Sequence, residues 1–560
     1  MDNIKILEIG YNMNKIHPLI KEILINRGIS AEEDILEFLS DKPSLTYDPF
    51  LLKNMEAGVD LLLSAIKEKK KICIYGDYDV DGVTSISLLY QVLSHLTDQL
   101  TYYIPCRFDE GYGLNMEAID SIKAEGVHLI VTVDCGSVSY HEVEYAKGMG
   151  LEVIVTDHHN INDKPANCLL INPKQQDCPY PFKHLSGCGV AFKLAQALQR
   201  KCELPKSILS DVLDLVALAT IGDIVPLLGE NRTMTKYGLK RINRNKRIGL
   251  NALIEKVGLQ TSKIKSEDIA YIIVPHLNAA GRMLDAKVGV KLLTSNDKSY
   301  VDKMVTTLID NNKERKRIQD LTYKRCLEIV DEFHSEDLFL IIHGKDAHEG
   351  IAGIVAGKIK DAYGRPAILV TYSGEDELLK GTGRSIEGVN LYEMLKKYED
   401  LFIKFGGHSG ACGFLMKADH LDEMRKSLNG DLKNLYDANP DLLNPRIQTE
   451  GTLNDKELEI QLALDIEKLG PFGHKNEKPI FSINSVTPSN ICYMGDNGQH
   501  VRFTGVGKEG KSFSCILFQK AKEYKDLIDQ GKPLNLIGHI DINSWNGNSK
   551  IQFVLRDITC

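Results

Sequence analysis

The sequence of 560 residues has no CxxC pair and no regular cysteine spacing, although it contains 12 cysteines. In a chain of this length, scattered cysteines are typical of free thiols in a reducing compartment. No apolar run reaches the roughly 20 residues that cross a bilayer. Residues 1–7 also lack the basic start and apolar core of a signal peptide. We therefore expect a cytoplasmic protein with no membrane partner.

The sequence also has no excess of basic residues. Lys and Arg number 68 against 77 Asp and Glu, which gives a formal net charge of −9. This balance argues against a nonspecific nucleic-acid coat protein. It does not argue against a nuclease, because a carboxylate-rich metal site adds negative charge that bound cations neutralise. The length predicts roughly two to four domains.

Short apolar runs alternate with amphipathic stretches between residues 71 and 156, which predicts βαβ units and a parallel sheet. The predicted strands are 71–75, 100–104, 128–133 and 151–155. The predicted helices between them are 83–96, 116–124 and 139–148. In such sheets, ligands collect at the carboxyl ends of the strands.

The rest of the chain changes character three times. Residues 204–293 are predicted to be mainly helical, and 301–333 to form one long amphipathic helix with Leu321 on its apolar side. The charged middle of that helix, 313–317, is interpreted as a solvated face. A second α/β segment follows, with strands 338–342 and 366–370 around helix 350–362. Beyond about residue 445, short strands with Gly and Asn turns predict an all-β barrel.

Three carboxylates, Asp77, Asp79 and Asp81, lie on the loop that leaves the first predicted strand. Three negative charges this close repel each other, and such a cluster is tolerated where cations bind. The spacing also matches the start of a calcium loop. That interpretation fails because residues 83–86 continue into an apolar helix instead of supplying further oxygen ligands.

Further Asp and His residues follow the next strands. Asp134 directly follows strand 129–133, Asp157-His158-His159 follows strand 153–155, and Asp223 ends a helical apolar run. Singly, each is usually a cap or an ordinary polar residue, but together they deliver ligands to one sheet edge. Mixed carboxylate and imidazole ligation favours Mn²⁺, with Mg²⁺ possible. The number of carboxylates predicts two ions and a phosphodiesterase that works by in-line displacement.

Asp-x-Asp-x-Asp at 77–81, Val-Asp-Cys-Gly at 133–136 and Asp-His-His at 157–159 together resemble the DHH phosphoesterase superfamily. Three downstream motifs, at 107–115, 277–282 and 406–414, narrow the resemblance to the RecJ family. The resemblance covers nearly the whole chain. It implies a 5'→3' exonuclease that degrades single-stranded DNA to 5'-mononucleotides in recombination and repair.

The resemblance also implies an α/β fold with a defined domain order. The implied domains are a helical extension packed on the core (1–60), a parallel-sheet DHH catalytic domain (61–300), a connector helix (301–335), a DHHA1-type substrate-binding domain (336–440) and an all-β OB-fold (441–560).

The family's metal ligands map onto this sequence one by one. The resemblance implies that one ion is held by Asp77, Asp79 and Asp134, and the other by Asp81, Asp134, His158 and Asp223, with Asp134 bridging. It also implies that His159 faces the scissile phosphate and stabilises its developing charge. The residues assigned to catalysis are Asp134, His159, Asp79 and Asp81.

The resemblance further implies residues that hold the DNA phosphates. Arg107 and Arg282 suit bidentate contacts, although a surface ion pair is the ordinary role of a lone arginine. Glycine-rich segments at 381–385 and 406–408 suit phosphate cradles, and simple turns are the alternative. Trp545 fits a base-stacking platform or a hairpin anchor equally well. The implied substrate-binding residues are Arg107, Asn278, Arg282, Arg384, Ser385, Gly406, Gly407 and His408.

Single-stranded DNA with a 5' end is the implied partner, together with a single-strand-binding protein and a RecQ-type helicase, and the chain is expected to be a monomer. The sequence departs from the family pattern at His276, at Cys106 and in the loop 471–479. Two other functions compete with the exonuclease. One is a superfamily enzyme for short oligonucleotides, cyclic dinucleotides or small esters, and the other is a DNA-binding scaffold that has lost its metals.

Overall fold

The apolar runs between residues 72 and 171 form a five-stranded parallel sheet. The structure is a computed structural model that describes residues 16–161, 164–283, 285–373, 375–444, 446–545 and 548–559. The strands are β1 Ile72–Gly76, β2 Leu100–Tyr103, β3 Leu129–Val133, β4 Glu152–Thr156 and β5 Leu169–Ile171. Their order in the sheet is β2-β1-β3-β4-β5. The parallel sheet and its four predicted strands are confirmed. The sequence did not predict β5, because a strand of three residues shows no periodicity.

Helices surround this sheet and dominate the region that follows it. Two of those predicted from periodicity, residues 116–124 and 139–148, appear within one residue of the predicted bounds. The helices are α1 Pro18–Asn26, α2 Glu32–Leu39, α3 Met55–Lys67, α4 Val80–Leu93, α5 Met116–Ala124, α6 Tyr140–Gly148, α7 Gly187–Lys201, α8 Ser207–Asp211, α9 Leu213–Gly222, α10 Gly229–Ile242, α11 Ile248–Lys256, α12 Ser266–Asp268, the π-helical turn Ile269–Ile273, α13 Val274–Met283 and α14 Lys287–Thr294.

The chain divides into two compact units. Unit 1 comprises residues 1–274, 289–301 and 448–560, and unit 2 comprises residues 275–288 and 302–447. In the part of the chain that the structure describes, no helix combines the length and the apolar character needed to cross a membrane. The eleven cysteines among these residues are all free, and most of them are buried.

Unit 2 contains a mixed sheet of order β6-β7-β8-β10-β9, in which only the β6–β7 pair is parallel. Apolar clusters cover both faces of this sheet. The elements from residue 298 onward are α15 Lys298–Phe333, β6 Leu340–His343, α16 Glu349–Tyr363, β7 Ala367–Ser373, β8 Glu375–Arg384, α17 Leu391–Lys396, β9 Phe402–His408, β10 Ala411–Lys417 and α18 Leu421–Ala438.

Two details of unit 2 bear on alternatives raised by the sequence. The glycine-rich segments at 381–384 and 406–408 are parts of β8 and β9, because β10 pairs with both of them, so the alternative interpretation as simple turns is wrong. The charged middle of α15 is not wholly solvated. Arg315 is 8% exposed and donates to Asn312 and Gln319 on the same helix, whereas Leu321 is 50% exposed.

Five strands between residues 481 and 559 form a closed barrel, as the sequence predicts, with strand order β11-β12-β13-β15-β14. Its core also contains Ile23 of α1 and Phe38 of α2, which belong to one apolar cluster with Phe503 and Phe553 of the barrel. The side chain of Trp545 lies outside the described residues. The elements are α19 Ile460–Glu467, β11 Phe481–Met494, β12 His500–Val506, β13 Ser512–Leu517, α20 Lys525–Asp529, β14 Leu534–Trp545 and β15 Asn548–Thr559.

A buried arginine on α10 joins three parts of unit 1. Arg232 is 3% exposed, and its guanidinium lies 3.7 Å over the ring of Phe38. It donates to the carbonyl oxygens of Phe38 at 3.0 and 3.3 Å, of Lys468 at 3.3 Å and of Leu469 at 2.8 Å. These carbonyl groups lie at the C-terminal ends of α2 and α19. One cation therefore satisfies the ends of two helices from separate segments of the chain.

Arg232→Met is expected to lower the apparent free energy of unfolding by about 2–4 kcal/mol. The substitution keeps the apolar stem but leaves the three buried carbonyls without their charged donor. Urea titration followed by circular dichroism measures the change. Arg244→Met, at an exposed position just beyond α10, is the control and is expected to change stability by less than about 0.5 kcal/mol. Equal effects of the two substitutions would contradict this role for Arg232.

Candidate metal centre

The carboxyl ends of β1 and β3 lie side by side where the strand order of the sheet reverses. β1 pairs with β2 on one side and with β3 on the other. With right-handed crossovers, such a reversal opens a crevice beyond the strand ends. Asp77 directly follows β1, Asp134 directly follows β3, and β4 leads into residues 157–159. The topology therefore brings the predicted residues of three strands to one place.

The loop after β1 holds two of its carboxylates by backbone hydrogen bonds. Asp79 is the N-cap of α4, and its Oδ1 accepts from the N–H groups of Asp81 at 2.9 Å and Gly82 at 3.2 Å. Asp81 is completely buried, and its two oxygens accept from the N–H groups of Gly187 and Cys188, both at 2.7 Å. The orientation of both side chains is thus fixed by main-chain donors.

Two glycines allow helices to approach the strand ends closely. A Cβ on Gly187, the first residue of α7, would lie 2.5 Å from Cβ of Asp134. A Cβ on Gly222, the last residue of α9, would lie 2.4 Å from Cγ1 of Val80 at the start of α4. Since Asp223 is the C-cap of α9, the close approach at Gly222 brings this carboxylate to the loop after β1.

His158 lies among the carboxylates of the cluster. Its Nε2 is 3.1 Å from Oδ1 of Asp134, 3.6 Å from Oδ2 of Asp223 and 3.8 Å from Oδ2 of Asp81. Burial, with a smaller contribution from the charge of His159, lowers the pKa of His158 to about 3. The imidazole is therefore neutral at physiological pH, and a ring nitrogen can offer its lone pair.

The buried atoms fit a site for divalent cations. Oδ1 of Asp77, Oδ1 of Asp134 and Nε2 of His158 are buried and make no hydrogen bond of acceptable geometry among the described residues, although the last two atoms lie 3.1 Å apart. Such atoms are costly unless another group, such as a cation, satisfies them. Three sets of residues could hold an ion, and within each set the possible ligand atoms lie within 4.8 Å of one another. The sets are Asp77, Asp79 and Asp134; Asp81, His158 and Asp223; and Asp134, Asp157, His158 and His159.

The electrostatics of the cluster also suit cations. Burial raises the pKa of Asp77, Asp134 and Asp223 well above the ordinary range, and neighbouring carboxylates raise it further. Burial and the charge of Asp79 raise the pKa of Asp81 to about 7. Without cations, the cluster therefore binds protons instead of remaining fully ionised. Carboxylate and imidazole donors together match Mn²⁺ and also accommodate Mg²⁺.

His159 differs from its neighbour because Asp157 holds it. Its Nδ1 lies 2.7 Å from Oδ1 of Asp157, and its side chain is 44% exposed. Burial alone would lower the pKa of His159, but the hydrogen bond and charge of Asp157 outweigh it and raise the pKa to about 9. Asp157 also accepts from the N–H groups of Ser137, His158 and His159. The arrangement keeps the His159 imidazole charged and partly open to solvent.

Two site residues were missed by the sequence analysis, although both lie in the motif at 107–115. The Tyr112 hydroxyl donates to the carbonyl oxygen of Asp134 at 3.3 Å and lies 3.2 Å from Nδ1 of His159. Glu110 organises the loop that carries Arg107 and Tyr112. It accepts from the N–H group of Cys106 and from the hydroxyl of Tyr103, at 2.6 and 2.7 Å. The glycines of this motif predict a loop with a defined conformation, but they do not identify the side chain that maintains it.

The residues expected to hold DNA phosphates lie in both units. Arg107, in unit 1, has its guanidinium carbon 5.0 Å from the ring centre of Tyr78. The other seven are in unit 2, where Ala411 of β10 pairs with Arg384 and also with His408. Their contacts are Arg282 Nη1 to the Gly350 carbonyl at 2.8 Å, Arg384 Nη1 to the Gly383 carbonyl at 2.8 Å, Ser385 Oγ to the Val389 carbonyl at 2.7 Å and the Gly410 N–H to His408 Nδ1 at 3.2 Å. Asn278 is on α13, and Gly406 and Gly407 are on β9.

Three family models match successive parts of the chain. Residues 71–220 match the N-terminal domain of the DHH family, residues 336–434 match the DHHA1 domain, and residues 449–557 match the RecJ OB domain. Among solved structures, the complex of Thermus thermophilus RecJ with Mn²⁺ superposes with a TM-score of 0.82 at 28% identity. That match covers 97% of this chain and 76% of the other.

Curated relatives match over almost the full length of the chain. The single-stranded-DNA-specific exonuclease RecJ of Bacillus subtilis is 36% identical over 97% of this chain and 68% of that protein. The protein of the same name from Escherichia coli is 32% identical over 97% of this chain and 96% of that protein. The order of the three domains, the strand-end cluster and these identities agree, and the chain belongs to the RecJ family of DHH phosphoesterases.

Proposed function

We propose that this chain is an exonuclease that hydrolyses single-stranded DNA from the 5' end to 5'-mononucleotides, with two divalent cations, in DNA recombination and repair. The observation that carries the proposal is the set of buried, unpartnered ligand atoms on Asp77, Asp134 and His158. The names of the relatives support the substrate, and solved RecJ structures with Mn²⁺ and with Mg²⁺ support the ions.

The grouping of ligand atoms supports a division between two ions. Asp77 and Asp79 would hold one ion, His158, Asp81 and Asp223 would hold the other, and Asp134 would contribute to both. When bound, the two ions stabilise charge on the attacking and leaving oxygens and make water a stronger nucleophile. Mn²⁺ is the preferred ion in this proposal because an imidazole is among the ligands.

His159 acts on the substrate and not on the ions. Its charged, partly exposed imidazole donates a hydrogen bond to a nonbridging oxygen of the scissile phosphate, where negative charge grows in the transition state. Asp157 is a positioning residue that holds the Nδ1 proton and directs Nε2 outward. Tyr112 borders the same imidazole and limits its rotation.

Phosphate contacts away from the reaction fix the strand. Arg107 binds a phosphate with its guanidinium fork. In unit 2, the C-terminal ends of β8 and β9 meet the start of β10. Hydroxyl, guanidinium and imidazole groups occur together there, which supports a second phosphate site. The residues proposed for this second site are Arg384, Ser385, Gly406, Gly407 and His408, with Asn278 and Arg282 from the neighbouring helix of unit 2.

The wider assignments belong to the same proposal. The chain consists of a helical extension (1–60), the catalytic domain (61–300), a connector helix (301–335), a substrate-binding domain (336–440) and an OB-fold (441–560). It works as a monomer in the cytoplasm, on DNA strands supplied with the help of a single-strand-binding protein and a RecQ-type helicase. The free cysteines support a reducing compartment.

The direct test is digestion of end-labelled, 5'-phosphorylated single-stranded DNA with Mn²⁺, with Mg²⁺ and with chelator. Stepwise loss from the 5' end is expected with either ion and none with chelator. Asp134→Ala is expected to lower kcat by at least about 100-fold, because it removes the bridging ligand.

Asp98→Asn is the matched control for Asp134→Ala, because Asp98 precedes β2 at the opposite edge of the same sheet. Its activity is expected to equal that of the wild type. Digestion from the 3' end, or of cyclic dinucleotides in preference to long strands, would contradict the proposed substrate. Full activity of Asp134→Ala would contradict the metal assignment.

Metal binding is expected to weaken as the pH falls, because protons compete for carboxylates with raised pKa values. With a pKa of about 7 for Asp81, competition at this carboxylate alone predicts about tenfold weaker Mn²⁺ affinity at pH 6 than at pH 8, and the other carboxylates with raised pKa values add to the effect. Titration calorimetry at the two pH values measures the difference. A pH-independent affinity would contradict proton competition at this cluster.

The same pKa values determine the stability of the metal-free protein. A carboxyl group whose pKa is raised by folding stabilises the folded state at low pH, and this contribution is lost as the pH rises through about 7. With chelator, the melting temperature is therefore expected to fall between pH 6 and pH 8. Added Mn²⁺ is expected to reduce this fall in melting temperature. The melting temperature of the Asp77→Asn protein, which lacks one buried charge, is compared with that of the wild type.

Asp157→Asn is expected to lower kcat by about 10- to 100-fold and to leave KM nearly unchanged. Without the carboxylate, the pKa of His159 falls from about 9 towards its ordinary value, so the alkaline limb of the kcat profile moves to lower pH. In a His159→Asn background, the same substitution is expected to leave the pH profile unchanged. An equal shift in both backgrounds would contradict positioning through His159.

A further inference from the structure

An open pocket of about 600 Å³ lies beside the segment that carries Asp223. Its walls come from residues 220–227, from residues 265–274 and from the barrel side of unit 1, at 472–478, 539–541 and 556. The backbone joins two of these walls, because the N–H group of Leu227 donates to the carbonyl oxygen of His474 at 2.9 Å. The volume is that of an ordinary small-ligand pocket, about 300–1,000 Å³.

The residue after Asp223 is strained and exposed. Ile224 has φ of +56°, a conformation that is a genuine outlier for a β-branched side chain. Its side chain is also 68% exposed and lines the pocket. Strain of this kind clusters at ligand-binding segments. Relaxing it would displace the adjacent Asp223, so the strain holds an apolar side chain at the mouth of the pocket.

A second exposed side chain also lines the pocket. Tyr271 is 78% exposed and lies in the π-helical turn Ile269–Ile273. Single π-helical turns are rare and occur often at functional sites, because they move a side chain out of its regular helical direction. The ring of Tyr271 therefore offers a large flat surface to whatever enters the pocket.

The charged side chains that line the pocket are balanced, with Lys265, Lys478 and Arg556 against Glu267, Glu477 and Asp541. Lys478 lies 3.4 Å from Asp541 and 3.6 Å from Glu467, and Lys265 lies 3.1 Å from Glu467. Burial lowers the pKa of His539 to about 4, and the charges of Lys478 and Arg556 act in the same direction. With both lysines paired and the imidazole neutral, the pocket suits a flat uncharged ring better than a phosphate.

We propose that this pocket receives one nucleobase of the single strand, which stacks on Tyr271 and packs against Ile224. The identity of the ligand rests on the proposed function, since a DNA strand held at the metal centre has its next bases within reach. Because Ile224 follows Asp223 directly, the pocket lies at a fixed distance from the reacting phosphate. It therefore takes the base at one set position counted from the 5' end.

The test measures binding of oligonucleotides in which a single abasic residue is moved one position at a time from the 5' end. Fluorescence anisotropy with the Asp134→Ala protein gives the dissociation constants without digestion. One position is expected to weaken binding by about fivefold or more, as loss of one stacked base does. Adding Tyr271→Ala is expected to flatten this profile and to weaken binding of intact DNA by a similar factor.

Two further variants separate stacking from general damage. Tyr271→Phe keeps the ring and is expected to keep the position-dependent loss. Tyr237→Ala removes another exposed tyrosine of unit 1, outside the pocket, and is expected to leave the profile unchanged.

A flat profile with Tyr271 present, or an unchanged profile in Tyr271→Ala, would overturn the proposal. If the wild type digests DNA but binding does not depend on the position of the abasic residue, only the pocket proposal is contradicted. A position-dependent profile without digestion counts against the proposed activity alone. Failure to bind any DNA would overturn both.

Discussion

The burial of several like charges at one edge of a sheet is the constraint on which the rest of unit 1 depends. Asp77, Asp81 and Asp134 are nearly or completely buried, and this burial, together with the charge of neighbouring carboxylates, raises their pKa values. A flexible chain would relieve such repulsion by moving the carboxylates into water. Here they follow short buried strands whose backbone is paired on both sides, so the side chains cannot leave without breaking the sheet. The energy of the apolar core thus maintains a site that is complete only with cations.

Much of this site follows from local sequence. The strands ending before Asp77, Asp134 and His158 are continuous apolar runs, and parallel topology delivers their carboxyl ends to one edge. Strand identity and chain order therefore predict which side chains meet. They do not predict the hydrogen bonds from Gly187 and Cys188 to Asp81, which join residues more than 100 positions apart. The roles of Tyr112 and Glu110 are also hidden, because they depend on how an irregular loop folds back on itself.

Unit 2 shows where local sequence misleads. Glycine has a low strand propensity, which makes a simple turn the alternative to a phosphate cradle for the segment 381–384. It is a strand because β7 and β10 pair with it on both sides, which supplies every backbone partner regardless of propensity. Arg315 shows the converse. Five consecutive charged residues predict a solvated face, but helical periodicity turns one of them inward, where Asn312 and Gln319 accept its hydrogen bonds. Pairing and periodicity decide such cases, and composition does not.

The segment 222–224 shows how one turn can serve two sites. Gly222 allows α9 to approach Val80, Asp223 then enters the metal cluster, and Ile224 takes a left-handed conformation that presents it to the neighbouring pocket. A relaxed backbone at Ile224 would turn either the carboxylate or the apolar side chain away. The strain is therefore the physical link between the carboxylate proposed to hold an ion and the surface proposed to hold a base. An enzyme that removes one nucleotide at a time needs such a fixed spacing, because the phosphate in the reactive position must be chosen by contacts that do not depend on sequence. A neutral aromatic pocket provides such contacts, since every base has a face that can stack.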